Sequence, residues 1–340
     1  MPEVTVVIPS YNSSATIEAA VRSALTQTEP VDVIVVDDGS KDDTVGKLQA
    51  LALDHSNLTV LVQPNNQGPS AARNRAIAAA KTNWIAILDG DDYMHPDRLR
   101  RMLQIAVAED LDLVADDLIR IPSDPNPETG TRLWSDTSIG LVRIDLARFA
   151  RENIDENTGY RRELGYVKPL MRRDFLKSHS IHYNETMRLA EDYDFYMQAL
   201  LAGAQFGIID PCGYFSIDYP SSLSKDGSAS DARKVLDRDI EFLKHRSLSP
   251  AERRAVHEHK MLAHKHWAWI HLIDMVRTRN VIGVVRTMIA PPQVLGALFL
   301  RLSRHALGKK PVPHAFVSSA QTQSIEAMLA NSAHSGAASL

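Results

Sequence analysis

The feature that most constrains this chain is an alternation in its first hundred residues. Short β-branched runs each stop at a polar or acidic cluster, and an apolar-periodic stretch separates one run from the next. Val4–Ile8 ends at Pro9, Val33–Val36 at Asp37-Asp38-Gly39-Ser40, Thr59–Val62 at QPNNQGPS, and Trp84–Leu88 at Asp89-Gly90-Asp91-Asp92. Apolar runs without polar alternation suit parallel strands buried on both faces. Between them, Ile17, Ala20, Val21, Ala24 and Leu25 fall on one helical face with Ser14 as the expected cap. A second helix is expected from about Thr44, a third over 71–80 with Arg73 in its first turn, and a fourth over 96–108. This alternation predicts an α/β fold with a mostly parallel central sheet flanked by helices. Ligands of such sheets bind outside the carboxyl ends of the strands. The polar clusters should therefore meet along one edge as an acidic, hydroxyl-rich crevice.

Later segments are less regular. Residues 121–140, rich in Pro, Asp, Ser and Thr, read as a loop or flap. A short strand and helices follow, with a helix over 191–202 ending near Gly203. From about Ser230 to Ala306 the pattern is mostly helical, and the Ser/Ala/Gln-rich residues 311–340 read as a loose tail.

Three acids at the end of an apolar strand repel one another and are costly there unless a cation neutralises them. A divalent metal with hard oxygen ligands would do so; solvated loop carboxylates are the plainer reading. A calcium loop of EF-hand type is excluded, because the twelfth position counted from Asp89 is Arg100 rather than Glu. The formal charge of −4 gives no global reason to expect nucleic acid as a partner. Cys212, the single cysteine, excludes an intrachain disulfide and a cysteine-rich zinc site, and fits a reducing compartment. The opening residues MPEVTVVIPSYN lack the basic-then-apolar pattern of a secretory signal, and no run of about 18 apolar residues would span a membrane. The expectation is a cytoplasmic enzyme.

Taken together, VVIPSYN (6–12), VVDDGSKDDT (35–44), NNQGPSAARNRAI (65–77), ILDGDDYMHPDRL (87–99) and LAEDYDFYMQAL (189–200) resemble the family 2 glycosyltransferases in order and spacing. These are inverting enzymes of the GT-A nucleotide-diphospho-sugar transferase fold. The resemblance spans roughly residues 3–220. With GYVKPLMRRDFL (165–176) its look is closest to bacterial exopolysaccharide glucosyltransferases of the succinoglycan type. It implies a catalytic domain over 1–225, with a nucleotide-sugar half to about 120 and an acceptor half beyond. A helical C-terminal region over 226–310 and the tail follow.

The resemblance also implies roles. Pro9 and Tyr11 would line the nucleotide pocket, and Asp38 would accept from the uracil imide while Asp37 holds the turn. Arg73 would approach the diphosphate from a helix start, where backbone N–H groups also favour anions. Asp89 would contact the ribose or donor sugar, and Asp91 would bind Mn²⁺ or Mg²⁺, with Asp89 and Asp92 as further candidate ligands. Asp192 would be the general base and Glu191 its orienter; acids placed in a first helical turn for the dipole are the alternative. Lys168, Arg172 and Arg173 lie where an acceptor could bind or where a basic surface would suffice. Asp116 and Asp117 would close the sugar pocket or simply end a strand.

The implied reaction moves one sugar, glucose from a UDP-sugar, to a hydroxyl of a lipid-linked oligosaccharide. The Gln-X-X-Arg-Trp motif of processive members is absent, so a single transfer is expected. YDFYMQAL replaces a segment that carries Trp in many relatives, which bears on the acceptor side. Two rival readings are a magnesium-dependent aspartyl-phosphate enzyme with Asp89 as nucleophile and a catalytically inactive sugar-nucleotide-binding homologue.

Between Arg277 and Lys310 there is no Asp or Glu. Val294, Leu295, Leu298, Leu302 and Ala306 share one face of a helix there, with the cations mostly elsewhere. Such a helix would lie in a lipid interface, as a peripheral contact at the inner face of the bacterial inner membrane, or pack on the catalytic domain or on a second subunit of a homodimer. His264 and His266 stand two apart, so they do not share a helical face and make a poor zinc pair.

Overall fold

The computed structural model describes residues 2–122, 130–153, 164–219 and 227–306. They form two compact units, one from 2–145 with 164–219 and the other from 146–153 with 227–306. Elements of the first unit begin with β1 (Val4–Ser10), α1 (Ile17–Leu25), β2 (Val31–Asp37), α2 (Thr44–Asp54), β3 (Leu58–Val62), α3 (Pro69–Ala79) and β4 (Trp84–Ile87). Then come β5 (Tyr93–Met94), α4 (Arg98–Ala108), β6 (Leu113–Asp116), β7 (Ile119–Pro122), β8 (Thr131–Arg132) and β9 (Val142–Ile144). Helix α5 (Leu146–Arg151) belongs to the second unit. The chain returns to the first with β10 (Leu170–Arg172), α6 (Arg173–Ser178), α7 (Glu191–Leu201), β11 (Phe206–Ile209) and β12 (Tyr214–Asp218).

Eight strands make the main sheet in the order β3-β2-β1-β4-β10-β6-β11-β9. The first four are parallel, and β1 lies centrally with Val4, Val6, Val7 and Ile8 fully buried. That double burial is why its sequence shows no alternation. Because β1, β2 and β4 run the same way, Ser10 pairs with Asp37 and the Leu88 N–H donates to the Val7 carbonyl. All three acidic or polar clusters thus leave the sheet on one edge. Strand β10 is antiparallel between β4 and β6, with Leu170 opposite Ala86. Extending that register by two residues sets Lys168 level with Leu88, beside the Asp89 loop.

Two sequence expectations are corrected. Ser14 does not cap α1; Thr16 occupies the cap position, and the Ser14 N–H is instead held by Asp42 Oδ2 at 3.0 Å. Residues 121–140 are not loop throughout. Strands β7 and β8 flank residues 123–129 and belong to a second sheet, β5-β12-β7-β8, built on Ile119, Ile121 and Phe215.

The second unit continues with α8 (Ala229–Phe242), α9 (Pro250–Arg277), α10 (Val281–Thr287) and α11 (Pro292–Ala306). Capping boxes at Ser228 and Ser249 start α8 and α9. His259 meets Asp239 of α8 at 2.7 Å, tying α9 to α8, and His271 stacks on Trp267 along the same helix. Val294 and Leu298 of α11 pack inward on Ala268 and Leu272 of α9. The face expected to meet lipid is therefore largely the internal packing face. The expected tail lies outside the described residues.

Candidate active site

The edge begins with two turns locked by their own acids. Asp37 Oδ2 accepts from the Gly39 and Ser40 N–H groups and Oδ1 from the Ser40 hydroxyl, so it holds the turn. Asp38, almost fully buried, faces the next loop: Oδ1 accepts from Gln63 Nε2 and the Gln67 N–H, and Oδ2 from the Gly68 N–H at 2.7 Å. It thereby sets the entry to α3. Gly39, at φ +77, lies so close to the Asn65 backbone that a Cβ would come within 2.9 Å. Only glycine allows these two loops to meet. Tyr11 is exposed at the same edge, and the Pro9 carbonyl lies beneath Gly90.

Five charged side chains from separate segments converge beyond β4. Arg73, buried on α3, donates through Nη2 to Asp89 Oδ1 and through Nη1 to Glu191 Oε1, both at 2.8 Å. Lys168 Nζ lies 2.6 Å from Asp192 Oδ2 and 3.1 Å from Asp89 Oδ2. Two cations thus bridge three carboxylates. Arg73 Nε and Asp192 Oδ1 are buried with no hydrogen-bond partner, although Oδ1 stands 4.0 Å from Arg73 Nη1. Expected as acceptor contact or ordinary basic surface, Lys168 is neither exposed nor free; it sits between two acids.

The electrostatics divide the acids. Burial alone would raise Asp89, but Lys168 and Arg73 hold it well below the usual carboxylate range. The same acids, outweighing burial, hold Lys168 above the ordinary lysine value. Glu191 is raised by burial and by Asp192, against the pull of Arg73. Asp91 differs. Burial and repulsion from Asp89 push it up to about 6, with Lys168 and Arg73 offsetting part of this. Asp92 is turned away: Oδ2 accepts from the Tyr214 hydroxyl at 2.8 Å and Oδ1 from the Ile217 N–H at 2.9 Å, anchoring the loop to β12.

That division fits a divalent cation at Asp91. A half-buried carboxylate raised by a neighbouring carboxylate gains most from an added positive charge. Among the described residues no group of three or more His, Cys, Asp or Glu could enclose a metal. The site would therefore offer a hard divalent cation one or two carboxylates, with its other oxygen ligands coming from elsewhere.

Several supporting residues escape sequence reasoning. Tyr183 lies under Arg73, with the guanidinium 5.2 Å from its ring centre, and stacks on Phe195 of α7. Its backbone is tied to Asn74 in both directions, so α3 fixes the segment that delivers Glu191 and Asp192. The Tyr196 hydroxyl donates to the Val167 carbonyl, and a buried Arg98–Asp116 pair donates through Arg98 Nη2 to the Lys168 carbonyl. Asp116 thus ends β6 as a structural anion. Asp117, raised to about 7 by burial, takes the Trp134 and Ser135 N–H groups. Arg172 lies over Trp84 and reaches Asp110, while Arg173 donates to the Thr82 carbonyl. Each of these four is held by the contacts just given. The signal available for Lys168 is a cation two residues before the short strand that begins at Leu170.

The glycosyl transferase family 2 model matches residues 5–168. ExoU, a succinoglycan biosynthesis protein of Rhizobium meliloti, is 36% identical over 274 residues, covering 80% of this chain and 79% of its own. The chain belongs to glycosyl transferase family 2. ExoO of the same organism, also named for succinoglycan biosynthesis, is 31% identical, covering 89% of this chain and 86% of its own. Among solved structures, residues 1–349 of S. aureus TarS in complex with UDP-GlcNAc match with a TM-score of 0.64 at 18% identity, covering 91% of this chain and 93% of that one. The mannosyltransferase PcManGT of Pyrobaculum calidifontis, with GDP-Man and Mn²⁺, matches at 0.54 and 16% identity, covering 91% and 88%. These two carry the fold alone, a GT-A-like one. This family 2 enzyme is a glycosyltransferase, and that membership sets aside the aspartyl-phosphate reading. No helix among its described residues is long and apolar enough to cross a membrane.

Proposed function

We propose that this family 2 enzyme is an inverting, metal-dependent transferase. It moves a single glucose from UDP-glucose to a hydroxyl of a lipid-linked oligosaccharide in exopolysaccharide synthesis. The observation that carries the reading is Asp192 Oδ1: a buried carboxylate oxygen without a hydrogen-bond partner, beside two cations at the strand-end edge. Lys168 holds the other oxygen, so the carboxylate is oriented while one oxygen stays available to take the acceptor's proton. Glu191 keeps Arg73 in place.

Tyr11, Pro9 and the remaining acceptor capacity of Asp38 Oδ2 serve the uridine. Arg73 supplies charge toward the diphosphate, and Asp89 meets the ribose or sugar. Asp91 is the metal ligand, with Asp89 adjacent and Asp92 committed to β12. Asp91 would hold Mn²⁺ or Mg²⁺, which would supply positive charge against that developing on the leaving diphosphate. The two succinoglycan relatives support the pathway, and the UDP-GlcNAc complex of TarS supports a uridine donor.

Thermal-shift measurement with UDP-, GDP- and dTDP-sugars in Mn²⁺ tests the donor, since only bound ligand stabilises the fold. UDP-glucose should give the largest shift. Asp192→Asn should keep that shift and lose sugar transfer. A larger shift with GDP-sugars, or loss of donor binding in Asp192→Asn, overturns the corresponding assignment.

A further inference from the structure

The second unit carries a helix with its apolar side outward. In α10 the small and polar residues, Gly283 and Thr287, are the buried ones. Gly283 lies close against α9, where an added Cβ would displace the end of the Met275 side chain. Val281, Ile282 and Val285 point away from α9, each more than half exposed at 72%, 68% and 56%, and Ile289 just past the helix is 80% exposed. At 100° per residue these four lie within one third of the helix circumference, with Arg286 on its border. Isolated exposed apolar residues need no explanation, but a whole helical face does.

Charge decides what covers it. Arg277, Arg279 and Arg286 are exposed around this face, and no Asp or Glu occurs between Met275 and Ala306. A second copy meeting the same patch across a two-fold axis would set arginine against arginine. An anionic lipid surface matches both features, taking the Val and Ile side chains into its boundary and the guanidiniums at its headgroups. The chain as a whole carries −4, so an anionic surface would attract this patch and repel the remainder, which fixes orientation.

We propose that the outward face of α10 docks this protein on anionic phospholipid. The proposal stands independently of donor and acceptor identity. It also differs from the face expected on sequence periodicity, since Val294 and Leu298 of that face are packed inward.

Flotation of the full chain with vesicles of phosphatidylcholine alone or with one quarter phosphatidylglycerol tests it. Binding should require phosphatidylglycerol and decline with salt. One juxtamembrane arginine contributes about fivefold to partitioning, so Arg277→Glu/Arg279→Glu/Arg286→Glu should lower it about a hundredfold or more. Ile282→Ser/Val285→Ser/Ile289→Ser should lower it at least tenfold. All six positions are exposed, and melting curves matching wild type establish folding. Equal binding to both vesicle types, or full binding by either triple variant, overturns the proposal. So does a wild-type dimer in light scattering that the Ser variant converts to monomer.

Discussion

The Lys168 ammonium donates to Asp192 Oδ2 at 2.6 Å, joining the strand that enters the sheet at β10 to the first turn of α7. Both groups are buried, so neither charge is stable there alone; breaking such a pair from one side costs about 3–5 kcal/mol. Lys168→Met should lower stability by an amount in that range, because Asp89 also loses a partner. Asp192→Asn in the same chain should recover part of it, giving a coupling energy of at least about 1 kcal/mol in a double-mutant cycle. Urea denaturation of the four proteins measures it. Strict additivity would show that the two groups do not support each other.

Asp91 gives a pH signature of known sign. A carboxyl raised in the folded state contributes stability present below its ordinary pKa, and that contribution is lost as pH rises through its folded value, here about 6. The metal-free wild type should thus be less stable than Asp91→Asn at pH 7.5. The gap should be on the order of 2 kcal/mol, at about 1.4 kcal/mol per unit with a discount for partial exposure. It should narrow to roughly half by pH 5 and close only as pH falls below the ordinary carboxyl value of 3.8. In titration calorimetry, Mn²⁺ affinity in the presence of UDP should fall up to about tenfold per unit below pH 6, one proton competing with the cation. Unchanged affinity between pH 7 and 5 would remove Asp91 as the ligand.

How much of this was readable beforehand depended on run length. Strands β1 to β4 were legible because four or more buried residues in a row leave a continuous apolar signal. Their shared direction then put Asp37, Asp89 and Arg73 on one edge without further information. Tyr93–Met94 is too short to show any period, so β5 and the small sheet that anchors Asp92 were not foreseen. The sequence predicts a short strand within residues 163–203 but neither its place nor its antiparallel insertion between β4 and β6, which sets Lys168 beside the Asp89 loop. Asp116 reads from sequence as a sugar-pocket acid or a strand end, and nothing in the sequence singles out Arg98. Their pairing is a tertiary fact that spacing does not encode. On α10 the small and polar Gly283 and Thr287 are buried and the apolar residues are exposed, an arrangement hydropathy does not assign.

Arg73 spans Asp89 and Glu191 with two different nitrogens of one planar fork, each at 2.8 Å. A lysine carries its charge at one point and cannot reproduce the planar fork whose two separate nitrogens meet these two acids. Arg73→Lys should therefore leave a buried acid without its cation, costing about 3 kcal/mol, and reduce sugar transfer at least about a hundredfold. Adding Glu191→Gln removes the stranded charge and should restore about half of the lost stability without restoring transfer. Recovery of both together would mean that Arg73 acts only as scaffold.

Ala190, immediately before the acids of α7, adopts φ 59 and ψ 25, in the left-handed region. For a residue with a Cβ this costs about 1–2 kcal/mol. Such strain persists only where the surroundings hold it, here the Tyr183–Asn74 ties on one side and Lys168 on Asp192 on the other. Ala190→Gly relieves the steric cost but adds unfolded-state freedom worth about 0.4–1 kcal/mol. Its net effect on denaturation should be a gain below about 1 kcal/mol. Ala190→Val, β-branched in the same conformation, should lose at least about 2 kcal/mol. The activities should run the other way for glycine. A freer residue 190 loosens Glu191 and Asp192, so kcat should fall severalfold while the donor KM stays within twofold. A glycine variant that gains stability and keeps full kcat would show that the strained turn does not aim the base.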